Sequence, residues 1–334
     1  MTERKAYIGA RIFDGTDEHF GAALVIEKNK ILKIVPEEDV GPDCEVTLLH
    51  KGLICPGFVD IQVNGGGGYL LNEAPSLQIL EKICDTHAKL GTTSLFPTLI
   101  SDVPAVTKAA QNCAIEAYEN DIPSFIGLHL EGPHLASSRS GAHDKSVIKP
   151  MDNSDYLNLE TLAQKIPKVL ITVAPEAVSI EYIEQLTAAG VIVSLGHSDC
   201  SFAQAQELAN AGATGVTHLF NAMSQFGSRE PGLVGAALEL GHFSAGIIAD
   251  GFHVNEAAIR VALRAKKSPG SIFLISDSMA TTGTSLESFE LNGRTIFRKN
   301  GRLTLANGTL AGADLDLASA VRFMVNKVGI PHID

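Results

Sequence analysis

Two different patterns of apolar and polar positions divide the chain near residue 52. In residues 1–52, apolar and polar residues alternate over Lys5–Phe13 and Ala22–Val35, and glycine, Asp and Asn residues separate the alternating stretches. Alternation with a period of two residues is typical of half-buried antiparallel strands. The pattern therefore predicts a small β domain over residues 1–52.

From residue 53 onward, short runs rich in Ile, Val and Leu recur. Eight such runs are candidate strands: Leu53–Asp60, Thr92–Pro97, Phe125–Glu131, Val169–Pro175, Val191–His197, Gly215–His218, Ala245–Asp250 and Ser271–Asp277. Amphipathic segments such as Leu77–Leu90, Phe202–Ala211 and Asn255–Ala265 fit helices between them. Continuous apolar strands that alternate with helices are typical of a parallel sheet covered by helices. This rhythm predicts an α/β fold, a TIM-like (β/α)8 barrel over residues 53–334, with an open doubly wound sheet as the alternative.

The last part of the chain interrupts the alternation of strand and helix. Asn-Gly pairs at 292–293, 300–301 and 307–308 separate three strand-like pieces, Ser288–Leu291, Thr295–Arg298 and Arg302–Leu305. Asn and Gly both tolerate positive φ, so these pairs favour tight hairpin turns. We expect a β-hairpin excursion at about residues 284–310, followed by a helix over about Leu315–Val328.

Composition narrows the class of protein. The chain has 334 residues, of which 45% are hydrophobic and 19% are charged. This supplies enough apolar side chain for a large core and is not the composition of a disordered protein. No apolar run approaches the roughly 20 residues of a membrane-spanning helix, and the N-terminal residues carry no apolar signal segment. We therefore expect a cytoplasmic protein with no membrane partner.

Charge and cysteine content narrow the range of partners further. The 26 basic and 38 acidic residues give a formal charge of −12 with no basic run, which argues against nucleic acid as a partner. The five cysteines are scattered and never form a Cys-x-x-Cys pair, as expected for reduced thiols. A small-molecule substrate is the class of partner that remains.

Acidic or imidazole side chains stand at the carboxyl ends of six of the predicted strands. They are Asp60, Glu131, His197, His218, Asp250 and Asp277. In barrels of this type, the strand ends and the loops after them form the active site. Two imidazoles and a carboxylate with an open fourth position are a typical ligand set of catalytic zinc, which lowers the pKa of a coordinated water to about 7. Glu131, His197 and His218 are therefore candidate ligands, and hydrogen-bonded core histidines with solvated acids are the alternative.

Three further residues suit roles around such a metal. Asp277 follows a buried run directly, so its carboxylate could take a proton from an attacking water and pass it to a leaving amine. A helix cap is the alternative for Asp277. His143 and His253 lie in loops after predicted strands and could orient a substrate carbonyl or a sugar hydroxyl, unless they are merely structural.

Several of these residues lie in motifs that resemble the N-acetylglucosamine-6-phosphate deacetylases of the amidohydrolase superfamily. In chain order the motifs are Gly127–Pro133, Ser194–Ser198, Thr217–Met223, Arg229–Gly232, Gly246–Val254 and Ser276–Ala280. The resemblance runs from about residue 8 to residue 330. Its most specific part is His218–Ala222 followed by Arg229–Gly232.

The resemblance implies the hydrolysis of N-acetylglucosamine-6-phosphate to glucosamine-6-phosphate and acetate. It also implies one divalent metal ion per chain, with Zn²⁺ expected, held by Glu131, His197 and His218. Asp277 would serve as general acid and base in this reaction.

The same resemblance implies a set of substrate contacts. His143 and His253 would contact the sugar and the amide carbonyl. Asn221, Ala222 and Arg229 would bind the phosphate, and Arg229 would reach in from the neighbouring subunit of a homodimer. A guanidinium fork is well matched to a phosphate.

The chain departs from the family pattern in two places. Many amidohydrolases hold a second metal with His-x-His after the first strand, whereas this chain has Gln62 and Asn64 there. Carboxamides are poor zinc ligands, so the departure favours one metal per site. Family members also continue for several tens of residues past the position of Asp334, which would leave the small β-sandwich domain incomplete at the C-terminus.

Two other functions stay open from the sequence. One is a related amidohydrolase that acts on a cyclic amide. The missing His-x-His, and the lack of a bridging lysine at Ala174-Pro175-Glu176, argue against it. The other is a catalytically silent protein that binds a sugar phosphate in the same pocket.

Overall fold

The chain folds into two compact units, seen in a computed structural model that describes residues 4–331. The outermost ends of the two predicted domains, residues 1–3 and 332–334, lie outside the described residues. One unit reaches to Gly57 and the other begins at Phe58, later than the boundary predicted between residues 52 and 53. The predicted strand Leu53–Asp60 is wrong in extent, because Pro56 has no N–H to continue a strand ladder. Its first part pairs within the N-terminal unit instead, at Leu53–Ile54.

The N-terminal unit consists of two small sheets. Its strands are β1 (Arg4–Ile8), β2 (Arg11–Phe13), β3 (Glu18–His19), β4 (Ala22–Glu27), β5 (Lys30–Pro36), β6 (Cys44–Leu48) and β7 (Leu53–Ile54). The strand orders are β5-β4-β1-β6 and β3-β2-β7. The pairs β1–β4 and β4–β5 are antiparallel, whereas β6 and β7 pair in parallel with β1 and β2. Ile12, Ala22 and Leu24 form the buried core of this unit.

The second unit contains the other strands and all of the α-helices. The strands are β8 (Phe58–Val63), β9 (Gly65–Gly66), β10 (Tyr69–Leu70), β11 (Thr92–Ile100), β12 (Leu128–Glu131), β13 (Val169–Val173), β14 (Ile192–Leu195), β15 (Gly215–Val216), β16 (Ser244–Ile247), β17 (Ile272–Leu274), β18 (Ser288–Leu291), β19 (Arg294–Lys299), β20 (Arg302–Thr304) and β21 (Leu310–Ala313). The helices are α1 (Leu77–Lys89), α2 (Pro104–Glu119), α3 (Asn153–Ala163), α4 (Ile180–Ala188), α5 (Phe202–Asn210), α6 (Gly232–Glu239), α7 (Glu256–Ala265) and α8 (Leu317–Phe323).

Eight parallel strands form a nearly closed barrel in the second unit. Strands β8 and β11 to β17 are hydrogen-bonded in chain order. The two ends of this sheet meet beyond β17, where the Asp277 N–H donates to the Gln62 carbonyl and the Asn64 N–H donates to the Ser278 carbonyl, both at 3.0 Å. The TIM-like barrel is confirmed, and the open doubly wound alternative is wrong.

The helices begin where the sequence supplies caps, and they bury their apolar faces against the barrel. The Ser76 side chain caps α1, which buries Leu80 and Ile83. Ser201 and Gln204 form a capping box at the start of α5. Strand β13 is buried along its whole length, as its unbroken apolar run predicts. Among residues 4–331, no helix is long and apolar enough to cross a membrane.

An antiparallel sheet of four strands, β18 to β21, follows the last barrel strand. Its first turn has φ of 51° at Asn292 and 70° at Gly293, as expected for an Asn-Gly hairpin. The apolar side of the sheet, including Ile296 and Leu303, packs with Met279. Through this contact the sheet forms part of the wall above the barrel mouth.

Candidate active site

Four of the predicted strand-end residues meet at the carboxyl end of the barrel. Glu131 is the last residue of β12, and His197, His218 and Asp277 follow β14, β15 and β17 closely. All four are at least 92% buried, with exposed fractions between 2% and 8%. His197, His218 and Asp277 have φ of 47°, 31° and 49°. Such left-handed backbone is costly for a residue with a side chain and concentrates at functional sites.

Glu131, His197 and His218 place their ligand atoms in a small triangle. Glu131 Oε1 lies 3.1 Å from His197 Nε2 and 3.0 Å from His218 Nε2, and the two nitrogens are 3.0 Å apart. Tetrahedral zinc with bonds of about 2.0–2.2 Å needs ligand atoms about 3.3 Å apart. The triangle therefore has nearly the dimensions of one face of a zinc tetrahedron.

The proton positions in this triangle also suit a cation. His197 Nδ1 donates to the Arg139 carbonyl at 2.7 Å, so in the neutral ring Nε2 carries a lone pair. Burial opposes ionisation of Glu131, but hydrogen bonds from His197 and His218 outweigh it and hold the pKa of Glu131 well below its usual value. A lone pair and a carboxylate oxygen thus face each other at 3.1 Å, which requires a proton or a cation between them.

A second set of three side chains could also hold a metal ion. The ligand atoms of Glu131, His143 and His197 lie within 4.8 Å of one another. The Ser101 backbone N–H donates to His143 Nδ1 at 3.2 Å. Burial, aided by nearby His197, lowers the pKa of His143 to about 3, so the ring is neutral and its proton lies on Nε2. His143 Nε2, which is 3.9 Å from Glu131 Oε2, is then a donor and not a ligand.

Asp277 is held beside this group by two carboxamides. Its Oδ1 accepts from Asn64 Nδ2 at 2.7 Å and from Gln62 Nε2 at 3.2 Å. Gln62 Nε2 is also 3.2 Å from Glu131 Oε1. Burial and the charge of Glu131 raise the pKa of Asp277 to about 6. A carboxyl group with such a pKa can accept and return a proton near neutral pH.

The orientation of Gln62 and Asn64 bears on a second metal. Both carboxylates that they contact need donors, so the amide nitrogens, which do not ligate metals, face Asp277 and Glu131. Asn64 Oδ1 is buried without a hydrogen-bond partner in the described part of the chain. The pair thus acts on the acids and offers no second ligand set.

The remaining substrate-site candidates divide into those that line the cavity and one that does not. A cavity of about 380 Å³ contains the four strand-end residues together with His143, Asn221, Ala222 and His253. His253 Nδ1 is bonded to Asp250 Oδ2 at 2.6 Å, which fixes the ring. Burial opposes ionisation of Asp250, but the hydrogen bond from His253 outweighs it and lowers the pKa of Asp250.

Arg229 is the candidate that lies outside its own chain's cavity. Its side chain is exposed, in a loop between Asn221 and α6. Glu230 Oε1 anchors this loop by accepting from the Phe202 and Gly232 N–H groups at 2.8 and 2.9 Å. Phe226, in the same loop, is 65% exposed.

The structure adds residues that sequence reasoning missed. His129 lies in the barrel interior, bonded to Thr98 Oγ1 at 3.2 Å and to Thr172 Oγ1 at 2.8 Å. Burial lowers the pKa of His129 to about 4, so it is a neutral support beneath the site. Strand alternation puts residues 129 and 131 on one face, which could have identified it. Arg139 lines the cavity, and no local pattern marked it.

A slightly larger cavity, of about 430 Å³, lies between α2 and α3. Its lining includes Gln111 and His134 but none of the four strand-end residues. Chemistry requires converging reactive groups, so the smaller cavity is the candidate active site.

Comparison with known proteins identifies relatives along most of the chain. A protein of a Shewanella species, named N-acetylgalactosamine-6-phosphate deacetylase, is 39% identical over 282 residues, which are 84% of this chain and 71% of that protein. The N-acetylglucosamine-6-phosphate deacetylase of Haemophilus influenzae is 33% identical over 333 residues, or 98% and 85% of the two chains. No protein-family model matches the chain.

Solved structures give a similar result. The crystal structure of N-acetylglucosamine-6-phosphate deacetylase from Pasteurella multocida superposes with a TM-score of 0.94 at 35% identity, covering 99% of this chain and 86% of that one. An aspartate-to-alanine mutant of the Mycobacterium smegmatis enzyme, in complex with N-acetyl-D-glucosamine-6-phosphate, superposes with a TM-score of 0.87 at 27% identity, covering 99% and 85%. From its sequence and its fold, the chain belongs to the N-acetylglucosamine-6-phosphate deacetylase family.

Proposed function

We propose that this protein hydrolyses the acetamide of N-acetylglucosamine-6-phosphate to glucosamine-6-phosphate and acetate, in amino-sugar catabolism. The observation that carries the proposal is the triangle of Glu131, His197 and His218 beside Asp277, in a cavity of a member of this family. On the sequence argument alone, we place the reaction in the cytoplasm.

The proposed ligands of one divalent ion are Glu131, His197 and His218. Two imidazole nitrogens and a carboxylate suit Zn²⁺. The shorter distances, and the proton on His143 Nε2, favour His218 over His143 as the third ligand. Bound there, a divalent ion would polarise the acetyl carbonyl and activate a water molecule as nucleophile.

Asp277 and His143 would carry the proton and the developing charge. Asp277 Oδ2 accepts no hydrogen bond from the described residues, so it is available to take a proton from the attacking water. It would then return that proton to the amine nitrogen as the C–N bond breaks. The His143 Nε2–H would donate to the carbonyl oxygen while negative charge develops on it. His253, oriented by Asp250, would contact the sugar.

The phosphate would be bound by Asn221, Ala222 and an arginine from a second copy of the chain. Arg229 is exposed, with no hydrogen-bond partner among the described residues, in a loop that Glu230 anchors. The exposed ring of Phe226 in the same loop gives apolar surface for a subunit contact. These features support a homodimer in which each chain donates Arg229 to its partner's pocket.

A second candidate substrate is N-acetylgalactosamine-6-phosphate. The relative from Shewanella, at 39% identity, is named for that sugar, whereas the relative from Haemophilus influenzae, at 33% identity, is named for the glucosamine form. The two sugars differ only in the configuration at C4, which leaves the acetamide and the phosphate in place. The chemistry of the cavity is the same for both.

Acetate release from the two phosphorylated epimers and from N-acetylglucosamine tests the proposal. We expect hydrolysis of the phosphorylated sugars, with the higher kcat/KM identifying the substrate. Binding of both sugar phosphates without acetate release, by metal-loaded protein, would instead support the silent binding protein. Hydrolysis of a cyclic amide in preference to either sugar would support the other amidohydrolase alternative.

Elemental analysis tests the metal centre. We expect one divalent ion per chain, and Glu131→Gln should lose most of it because the ligand charge is removed. Gln111→Glu, a charge change in the other cavity, is the control and should keep the ion. Two ions per chain, both lost in His197→Ala, would contradict the single-metal site.

A further inference from the structure

Resting on the proposed function, one feature of the cavity is its shortage of positive charge. The substrate carries a phosphate, but Glu131 and Asp277 make the cavity acidic. Among the described residues that line it, Arg139 is the only lysine or arginine. Arg294 lies nearby, but its guanidinium donates to the Ala142 carbonyl and does not line the cavity.

Arg139 is held in place at both its backbone and its side chain. It ends a short 3-10 helix, Ser137–Arg139, and its carbonyl accepts from His197 Nδ1 at 2.7 Å. Its Nε donates to Asp199 Oδ1 at 2.5 Å, and the Ser138 hydroxyl donates to Asp199 Oδ2 at 2.8 Å. The guanidinium is therefore oriented before any ligand arrives.

The guanidinium still has donors to offer. Only Nε is bonded, so the four N–H bonds on the two Nη atoms have no acceptor within residues 4–331. The side chain is 38% exposed, so these donors reach the open cavity. A phosphate accepts such donors in pairs.

Arg139 lies on the side of the cavity where the phosphate is expected. Asp199, its partner, follows Ser198, whose N–H donates to the Ala222 carbonyl at 3.2 Å. The Ser224 N–H returns a bond to the Ser198 carbonyl at 2.9 Å. The segment that anchors Arg139 is thus bonded to the segment that carries Asn221 and Ala222.

We propose that Arg139 is a phosphate-binding residue supplied by the chain's own pocket, with Asp199 and Ser138 as positioning residues for its guanidinium. In this arrangement the phosphate is held between Arg139 and the Asn221–Ala222 segment of one chain, and the partner's Arg229 adds a second cation. One half of the phosphate site is then complete before the subunits associate.

The test compares Arg139→Gln and Arg139→Lys with the wild-type protein on N-acetylglucosamine-6-phosphate and on N-acetylglucosamine. The readout is the ratio of the two kcat/KM values, with metal content measured in each variant. We expect Arg139→Gln to lower this ratio about 10- to 100-fold, the scale for losing a charged hydrogen-bond partner. Arg139→Lys should recover part of it, since lysine keeps the charge without the fork. Arg264→Gln, the same charge change at an exposed position on α7, is the control.

Two results would overturn the inference. One is an unaltered ratio in Arg139→Gln with the metal retained. The other is an equal loss on both sugars together with loss of metal, which would show that Arg139 acts through His197. If the wild-type protein hydrolyses neither sugar, the proposed function fails while Arg139 can still be judged. Calorimetric binding of inorganic phosphate should then be at least 10-fold weaker in Arg139→Gln than in wild type, and equal binding would reject the site.

Discussion

Three buried carboxyl groups at one end of the barrel ionise very differently. Hydrogen bonds from two histidines overcome burial and keep the pKa of Glu131 low, whereas burial raises the pKa of Asp277 to about 6 and that of Asp60 to about 7. Residue type is therefore a poor guide to charge here. The neighbours decide which acid is a permanent anion, which exchanges a proton and which stays neutral.

Replacement of Asp277 tests its role as the proton carrier. Asp277→Asn keeps the shape of the side chain but removes the basic oxygen, so we expect kcat to fall about 10²- to 10⁴-fold. Metal content and substrate binding should be largely retained, as measured by elemental analysis and calorimetry. A variant that loses its metal but keeps normal turnover per bound ion would make Asp277 a ligand and not the base.

Asp60 gives a prediction about stability and pH. Its Oδ1 accepts from the Ser276 and Gln62 N–H groups at 3.2 and 3.3 Å, while Oδ2 is buried with no partner among the described residues. Burial raises its folded-state pKa to about 7, against about 3.9 in the unfolded chain. Between these two values the folded state holds a proton that the unfolded state has released, so the free energy of unfolding falls as pH rises.

Asp60→Asn should remove this dependence. We expect the loss of wild-type stability between pH 4 and pH 7, up to about 4 kcal/mol from this group, to be largely absent in the variant. Urea unfolding of both proteins across this range measures the difference, and the other titrating groups are common to both. Parallel curves for the two proteins would show that Asp60 is ionised in the folded state.

At the scale of elements, the sheet of β18 to β21 supports the catalytic strand end from above. The Ala313 N–H at the end of β21 donates to the Asp277 carbonyl at 2.8 Å. Gly312, with φ of 67°, lies so close that an added Cβ would collide with Met279 and approach the Asp277 carbonyl oxygen at 3.1 Å. The excursion is therefore part of the machinery that orients Asp277.

Gly312→Ala tests this support, with Gly293→Ala as its matched control. Both glycines have positive φ, but an added Cβ at Gly293 meets nothing within 4 Å. We expect Gly293→Ala to cost about 1 kcal/mol of stability, the penalty for left-handed backbone alone. Gly312→Ala should cost about 1–3 kcal/mol more from overpacking, and it should lower kcat. Urea unfolding and acetate release measure the two effects, and equal behaviour of the two variants would refute the contact.

At the scale of the whole molecule, the formal charge of −12 is unfavourable for a phosphorylated substrate. Binding then depends on a few cations at fixed positions. Arg139 lines the cavity of its own chain, whereas Arg229 stands outside it. An arginine that is exposed in the single chain but needed at the site is explained by a second subunit.

Mixed dimers test whether Arg229 acts across the interface. Arg229→Ala should cost a few kcal/mol of phosphate-dependent binding, and both Arg229→Ala and Asp277→Asn should be nearly inactive alone. In a mixed dimer, one pocket has both Asp277 and the donated Arg229, so up to half of the normal sites should reappear. The measurement is acetate release after subunit exchange. No recovery despite verified exchange would confine Arg229 to its own chain.

The sequence by itself determined the barrel and most of the strand-end residues. Each of the eight predicted barrel strands overlaps an observed one, because an unbroken apolar run is a local property that survives any packing. Glu131, His197, His218 and Asp277 could be chosen because parallel strands all end at the same rim. Predicted strand ends were less accurate, as at Leu53–Asp60, where Pro56 stops the ladder.

Only the tertiary structure decided how these side chains differ from one another. His143 and His197 look alike in sequence, yet the Ser101 N–H makes one a donor and the Arg139 carbonyl makes the other a candidate ligand. These bonds join residues 42 and 58 positions apart. Likewise, Arg139 reaches the cavity through Asp199, 60 positions away. Tautomers, pKa values and access to a cavity depend on such distant partners, and no local pattern in the chain records them.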